Sequence, residues 1–390
     1  MTAPRAPRAI ALALAATVLA AGCGSAARSG HSAARVSPLA ARPLLTTSLT
    51  TANGTWAVAV MGGSAASHNN FWQLFVREAG TSAWKLATPP GVADNGGLVV
   101  ADPGGRSLVT AFLPSQYLTF TPLAVSQNDG HVWAAAGPLD AALADYPDAL
   151  AAAPGSGSLL ALLITGTAKL ATPGYSHWAT LVTQRALAAT PAGRRCGLNA
   201  LTAAAFTSSG APMLAGTCGH PGIAGIFASQ GGTWQAAGPS LPAELASQRV
   251  AVLRLTRTPT GTAALLAAGT GSATSLLAAW SAGNSGHWTL SPPVRLGGAK
   301  LTSTSFGPGG AVAIVVNGRH AETVTGPRAS WQPLPPLPSG TATVTSDPAG
   351  GFSALAVQRT KVTVWQLIGG GASWRATQVL KVPIQFGSSG

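Results

Sequence analysis

The chain has 390 residues, of which only 8% are charged, and it carries a formal net charge of +13. Its basic residues are dispersed with no basic–aromatic stripe, which argues against a nucleic-acid partner, whereas a positive surface suits anionic lipid or an acidic wall polymer. With 48 Gly and 29 Pro, the sequence is interrupted too often for helices of ten or more residues, so a helical array is excluded although Ala and Leu abound.

Residues 1–22 begin with Arg5 and Arg8, continue as an apolar run from Ala9 to Ala21 and end in small residues. That is the pattern of a secretory signal peptide, too short to span a membrane. Leu19-Ala20-Ala21-Gly22-Cys23 resembles a bacterial lipobox, with Leu one position further from the Cys than usual. The resemblance implies that Cys23 is lipidated and holds the protein at the extracytoplasmic face of the cell membrane; simple secretion is the alternative. Residues 23–44, rich in Ser, Ala, Gly and Arg, read as a flexible tether with a reach of roughly 25 Å.

From residue 45 to 390 two tokens alternate. Gly54, Gly105, Gly157, Gly210, Gly261, Gly310 and Gly351 each sit in a turn between apolar runs, and Trp84, Trp133, Trp178, Trp234, Trp288, Trp331 and Trp374 each follow a Gly- or Ser-containing turn. The repeat of about 40–55 residues holds two hairpins, hence four strands, with Gly at the first turn and Trp just past the last. The expected fold is therefore all-β, a seven-bladed β-propeller with four antiparallel strands per blade.

Two cysteines remain besides Cys23. Cys196 precedes the first strand of the fourth unit and Cys218 ends its second strand, so the two share one edge of a hairpin and are expected to form a disulfide in an oxidising compartment. The longer connections, including 114–120, 137–149, 183–197, 237–249, 291–302 and 317–323, open on one end of the units. They carry Tyr117, Asp145, Tyr146, Arg195, Arg249, Arg295 and Arg319, the candidate binding face. Converging guanidinium forks would suit carboxylate or phosphate groups on an acidic envelope glycan or polymer, and the tyrosines could stack on a sugar ring; another envelope protein is the alternative partner. His131, His177 and His287 fall on different units and cannot share an ion, and no metal, nucleophile or phosphate-loop motif occurs, so neither a metal nor a cofactor is expected.

Ser126-Gln-Asn128-Asp129-Gly130-His131-Val132-Trp133 resembles the Asp-box turn of BNR-repeat propellers, with Asn128 in place of the Asp and Val132 in place of the Thr. Ser229-Gln-Gly231-Gly-Thr233-Trp234 and Gly371-Ala-Ser373-Trp374 are fainter copies. The resemblance implies a sialidase-like or Ycf48-like propeller of an exported lipoprotein, in which the box is structural. It does not carry an activity: the Arg-Ile-Pro motif of sialidases is missing, and only Glu78, Glu244 and Glu322 could partner a tyrosine. The expectation is a non-catalytic binding or scaffolding protein, not an enzyme, with a divergent glycan hydrolase as the alternative.

Overall fold

The computed structural model describes residues 46–383 apart from 63–69, 91–96, 113–122, 137–146, 154, 284–285, 349 and 370. The leader, Cys23, the tether, Tyr117, Asp145 and Tyr146 lie outside the described residues. The strands fall into consecutive four-strand meanders. Unit 1 holds β1 (Thr46–Thr51), β2 (Gly54–Gly62), β3 (Asn70–Glu78) and β4 (Trp84–Leu86). Unit 2 holds β5 (Leu98–Gly104), β6 (Ser107–Phe112), β7 (Leu123–Ser126) and β8 (Ala134–Ala136). Unit 3 holds β9 (Pro147–Ala152), β10 (Leu159–Leu163), β11 (Thr167–Ala171) and β12 (Trp178–Thr183). Unit 4 follows two short helices, α1 (Gln184–Ala188) and α2 (Pro191–Cys196), with β13 (Leu198–Phe206), β14 (Pro212–Cys218), β15 (Gly225–Gln230) and β16 (Thr233–Ala236). Unit 5 holds β17 (Val250–Thr258), β18 (Gly261–Ala268), β19 (Ser275–Ala282), β20 (Trp288–Leu290) and the short β21 (Val294–Arg295). Unit 6 holds β22 (Leu301–Phe306), β23 (Val312–Val316), β24 (His320–Val324) and β25 (Gln332–Pro333). Unit 7 holds β26 (Thr341–Ser346), β27 (Phe352–Gln358), β28 (Lys361–Leu367) and β29 (Arg375–Lys381).

The second strands read as unbroken apolar runs because both of their faces are buried. On β18, Ala264, Leu266 and Ala268 pack against unit 4, while Ala263, Leu265 and Ala267 pack against unit 6. The same two-residue alternation sends Trp56 and Val58 of β2 toward unit 2, and Ala57, Ala59 and Met61 toward unit 7. Buried clusters straddle each successive pair of units and also the first and last, so side-chain packing links neighbours all along the chain.

The seven-bladed propeller expected from the repeats is not what the strand pairing gives. The described strands form five sheets, of 8, 9, 4, 4 and 4 strands, each of them open, and none closes into a barrel or propeller ring. Units 6 and 1 merge because β1 runs parallel to β22, with Thr46 opposite Ser303 and Leu49 opposite Phe306. Units 4 and 5 merge through the pairing of Thr217 on β14 with Ala251 on β17. Ser48, Ser303 and Ser305 are buried at this seam, and β26 does not enter the ladder between β1 and β22. It stands against both instead: the Ser303 hydroxyl donates to Thr343 Oγ1 at 2.9 Å and the Thr50 hydroxyl to the Ser346 carbonyl at 2.8 Å.

Units 1 and 7 are joined by side chains, not by a shared strand. Arg77 pairs with Asp347 at 2.7 Å, donates to Thr55 Oγ1 at 3.1 Å and lies 5.5 Å from the centre of the Trp84 ring. The Gln378 amide clamps the Trp84 backbone, accepting from its N–H and donating to its carbonyl, each at 2.8 Å. Cys196 and Cys218 form the disulfide across the base of unit 4, with their Cα atoms 4.9 Å apart. The connection before unit 4 is helical where a loop was expected. Thr183 and Thr190 cap α1 and α2 by accepting from Ala186 N and Gly193 N, Pro191 opens α2, and Gly197 at φ 62° closes it.

A central cavity as the candidate functional site

The first strands of units 1 to 6 surround a cavity of about 1010 Å³. Of the described residues of unit 7, Pro348 alone reaches it, because β26 is held back behind the β1–β22 pair. Much of the wall is apolar, with Trp56, Leu98, Leu150, Phe206, Leu255 and Phe306 among its residues. Its charged lining residues are Asp102, Asp148, Arg254 and Arg257.

Asp102, near the end of β5, is engaged within the fold. One carboxylate oxygen accepts from Gly104 N at 2.8 Å and the other from the Thr51 hydroxyl at 3.1 Å, which ties unit 2 to unit 1. Burial pushes its pKa up, and these two hydrogen bonds oppose the shift. Arg254 is different. It is the fifth residue of β17, midway down the wall, and its Nε donates to Thr304 Oγ1 at 3.2 Å. Its Nη2 is buried with no partner, and among the described residues no carboxylate lies within ion-pair distance of the guanidinium. Desolvation pulls its pKa down to about 10. Two further lining residues, Ser48 and Trp56, also hold a buried polar atom without a partner, Oγ and Nε1 respectively.

Sequence reasoning missed Arg254. The available signal was one arginine inside the apolar stretch Val-Ala-Val-Leu-Arg-Leu on the first strand of a unit. The four arginines it did select are exposed, and none lines the cavity. Arg195 lies in the last turn of α2, Arg249 precedes β17, Arg295 ends β21 and Arg319 lies in the turn between β23 and β24. Tyr117, Asp145 and Tyr146 are outside the described residues. No group of three or more His, Cys, Asp or Glu among the described residues could hold a metal ion, and none of Glu78, Glu244 and Glu322 lines the cavity. No helix among the described residues is long and apolar enough to cross a membrane.

The Asp-box turn is a structural device. Asn128 Oδ1 takes the place of a carboxylate oxygen, accepting from Val132 N at 2.8 Å and from the Ser126 hydroxyl at 2.9 Å. Asp129 adopts φ 57° and Gly130 φ 78°, and a Cβ on Gly130 would stand 2.7 Å from the Ala87 Cβ of the preceding unit. Asp129 then pairs with Arg106, which also approaches Glu78 of unit 1. The repeated Trp has a similar task. Trp288, Trp331 and Trp374 donate their indole N–H to the carbonyls of Ala237, Pro292 and Pro335, each just past the fourth strand of the unit before.

The chain matches no protein-family model and no curated protein. Its fold is similar to that of a Lactobacillus plantarum protein, at 11% identity and TM-score 0.52, over 85% of this chain and 97% of that one. It is also similar to the Myceliophteria thermophila Cps50 (Swd1) β-propeller domain, at 13% identity and TM-score 0.51, over 83% and 96%. YCF48 from Cyanidioschyzon merolae aligns at 14% identity and TM-score 0.49, over 80% and 92%. At such identities the likeness is one of fold alone, an all-β and propeller-like architecture.

Proposed function

We propose that this chain is an exported, non-catalytic binding protein of the cell envelope, anchored through a lipidated Cys23, whose ligand occupies the central cavity. The carrying observation is the cavity of about 1010 Å³ framed by six first strands, a size at the upper end of small-molecule sites. Its wall combines an apolar surface with a few polar groups, and the described lining residues include no His, Cys, Tyr or Glu. The exposed Arg195, Arg249, Arg295 and Arg319 add positive charge at the loop end, suited to an acidic envelope polymer.

Two measurements test this reading. The Cys23→Ser protein is expected to leave the membrane fraction for the medium, because acyl chains supply the attachment; unchanged fractionation removes the anchor. The mature protein is expected to gain thermal stability from the small-molecule fraction of an envelope extract. A wholly unresponsive melting temperature removes the cavity as a binding site.

A further inference from the structure

We propose that Arg254 anchors the carboxylate of a small ligand whose apolar body fills the rest of the cavity; the inference rests on the reading of the cavity as a ligand site. A guanidinium offers five N–H donors, and among the described residues this one has a single acceptor, Thr304 Oγ1, at 3.2 Å. The other buried arginine among the described residues is matched: Arg77 has Asp347. Among the described residues, Arg254 is the charged side chain that combines a buried, partnerless nitrogen with a place on the wall of a large cavity. A planar carboxylate is the group that answers a planar fork with two parallel hydrogen bonds.

The charge count of the wall sets the ligand's charge. Among the described lining residues Asp102 and Asp148 offset Arg254 and Arg257 in formal charge, and a dianionic phosphate would add more negative charge than one guanidinium can match. Position matters too. Arg254 stands midway along β17, whereas Arg257 is exposed near that strand's end and Asp148 is the second residue of β9, so the charges are spread along the cavity and not gathered. Leu255, Phe206 and Phe306 supply apolar wall to the same cavity. The ligand class is therefore a monocarboxylate bearing an aliphatic or aryl group. Because the pairing takes place inside the cavity, its affinity should depend weakly on salt, in contrast to polymer binding by the exposed arginines.

The test uses the mature full chain and three probes of the same body: 4-phenylbutyrate, its uncharged amide, and 3-phenylpropyl phosphate, with affinities from calorimetry. The expected result is that the amide binds at least tenfold more weakly than the acid, that Arg254→Met loses at least tenfold for the acid while leaving the amide unchanged, and that Arg254→Lys recovers part of the loss. Equal affinity for acid and amide in the unaltered protein overturns the Arg254 anchor but leaves the cavity as a binding site, and this comparison needs no variant to fold. Tighter binding of the phosphate overturns the choice of carboxylate. Failure of all three probes, together with an unresponsive melting temperature in envelope extract, removes the cavity reading and the anchor with it.

Discussion

Replacing Arg254 with Met should make the ligand-free protein more stable, the reverse of what most substitutions on an inner strand do. The side chain keeps part of its surface toward the cavity, yet desolvation draws its pKa from the ordinary arginine value down to about 10. That displacement corresponds to about 3 kcal/mol against the charged form in the folded state, an upper bound because cavity water relieves part of it. The unfolded chain holds this proton more tightly than the folded one does, so the penalty is fully present below about pH 10 and fades only as pH rises beyond it. Met fills a similar volume, removes the charge and forfeits one hydrogen bond to Thr304, worth roughly 1.5 kcal/mol for a charged donor. The balance is a gain of about 1–2 kcal/mol, or roughly 2–4 °C in melting temperature for a domain above 200 residues. Calorimetry at pH 7 on the mature protein and the variant reads this directly. A variant that melts 2 °C or more below the parent would show that the guanidinium is well paired within the fold, and the case for an unmet donor would collapse.

Removing the carboxylate of Asp347 should cost about 3–5 kcal/mol, because Arg77 is left charged and buried between units 1 and 7; adding Arg77→Met should restore most of it in urea unfolding, and a harmless Asp347→Ala would argue that this pair does not hold the units together. Loss of the 22-residue Cys196–Cys218 crosslink through Cys196→Ala should lower stability by about 3 kcal/mol, with reductant lowering the parent but not the variant. Glu78 is held down to about 2, first by its hydrogen bond from Lys85 and then by that from His131, so its contribution is present above the ordinary carboxylate pKa and is lost as pH falls toward 2. The cluster is partly exposed, so the loss is small, and Glu78→Gln should flatten the urea midpoint between pH 5 and pH 2.5 slightly; identical slopes would dismiss it. Trp331→Phe should cost about 1 kcal/mol by removing the indole donor to Pro292, and no cost would mean that packing alone joins units 5 and 6 there.

The alternating Gly and Trp positions carry most of what the sequence reveals of the fold, and the coordinates explain why. Gly310 lies where a Cβ would stand 2.8 Å from that of Ala263, and the indole N–H of Trp280 donates to its carbonyl at 2.8 Å; Trp331 and Trp374 tie each unit to the one before. Both are local demands, and local demands leave a periodic trace. Hairpin order likewise suffices to bring Cys196 and Cys218 together. The β1–β22 pairing leaves no such trace: it depends on which edges meet at the centre after the units have packed, and Thr-Ser-Leu or Thr-Ser-Thr reads the same in either place. The seven-fold count of repeats therefore overstated the symmetry of the strand pairing. Arg254 was hidden for a related reason, since alternation on a strand says that a side chain faces the axis but not that a cavity lies there or that no acid faces it. Asn128 shows the opposite case, in which the turn geometry survives the exchange of a carboxylate for an amide because only its oxygen is used.

The parallel pairing of β1 with β22 also sets a clock. Residues 46–49 leave the ribosome early, and their partners at 303–306 follow some 250 residues later, a delay of roughly 10–50 s at ordinary elongation rates. Unit 1 cannot reach its final arrangement in that interval, and its neighbour on the other side, unit 7, arrives later still. Trp84, buried in the finished molecule among residues of units 1 and 7, remains available to a holding chaperone or a protease until then. A nascent chain stopped after unit 5 would have four pairwise interfaces packed and still present an unpaired first strand, so the protein's maturation is gated by its C-terminal third.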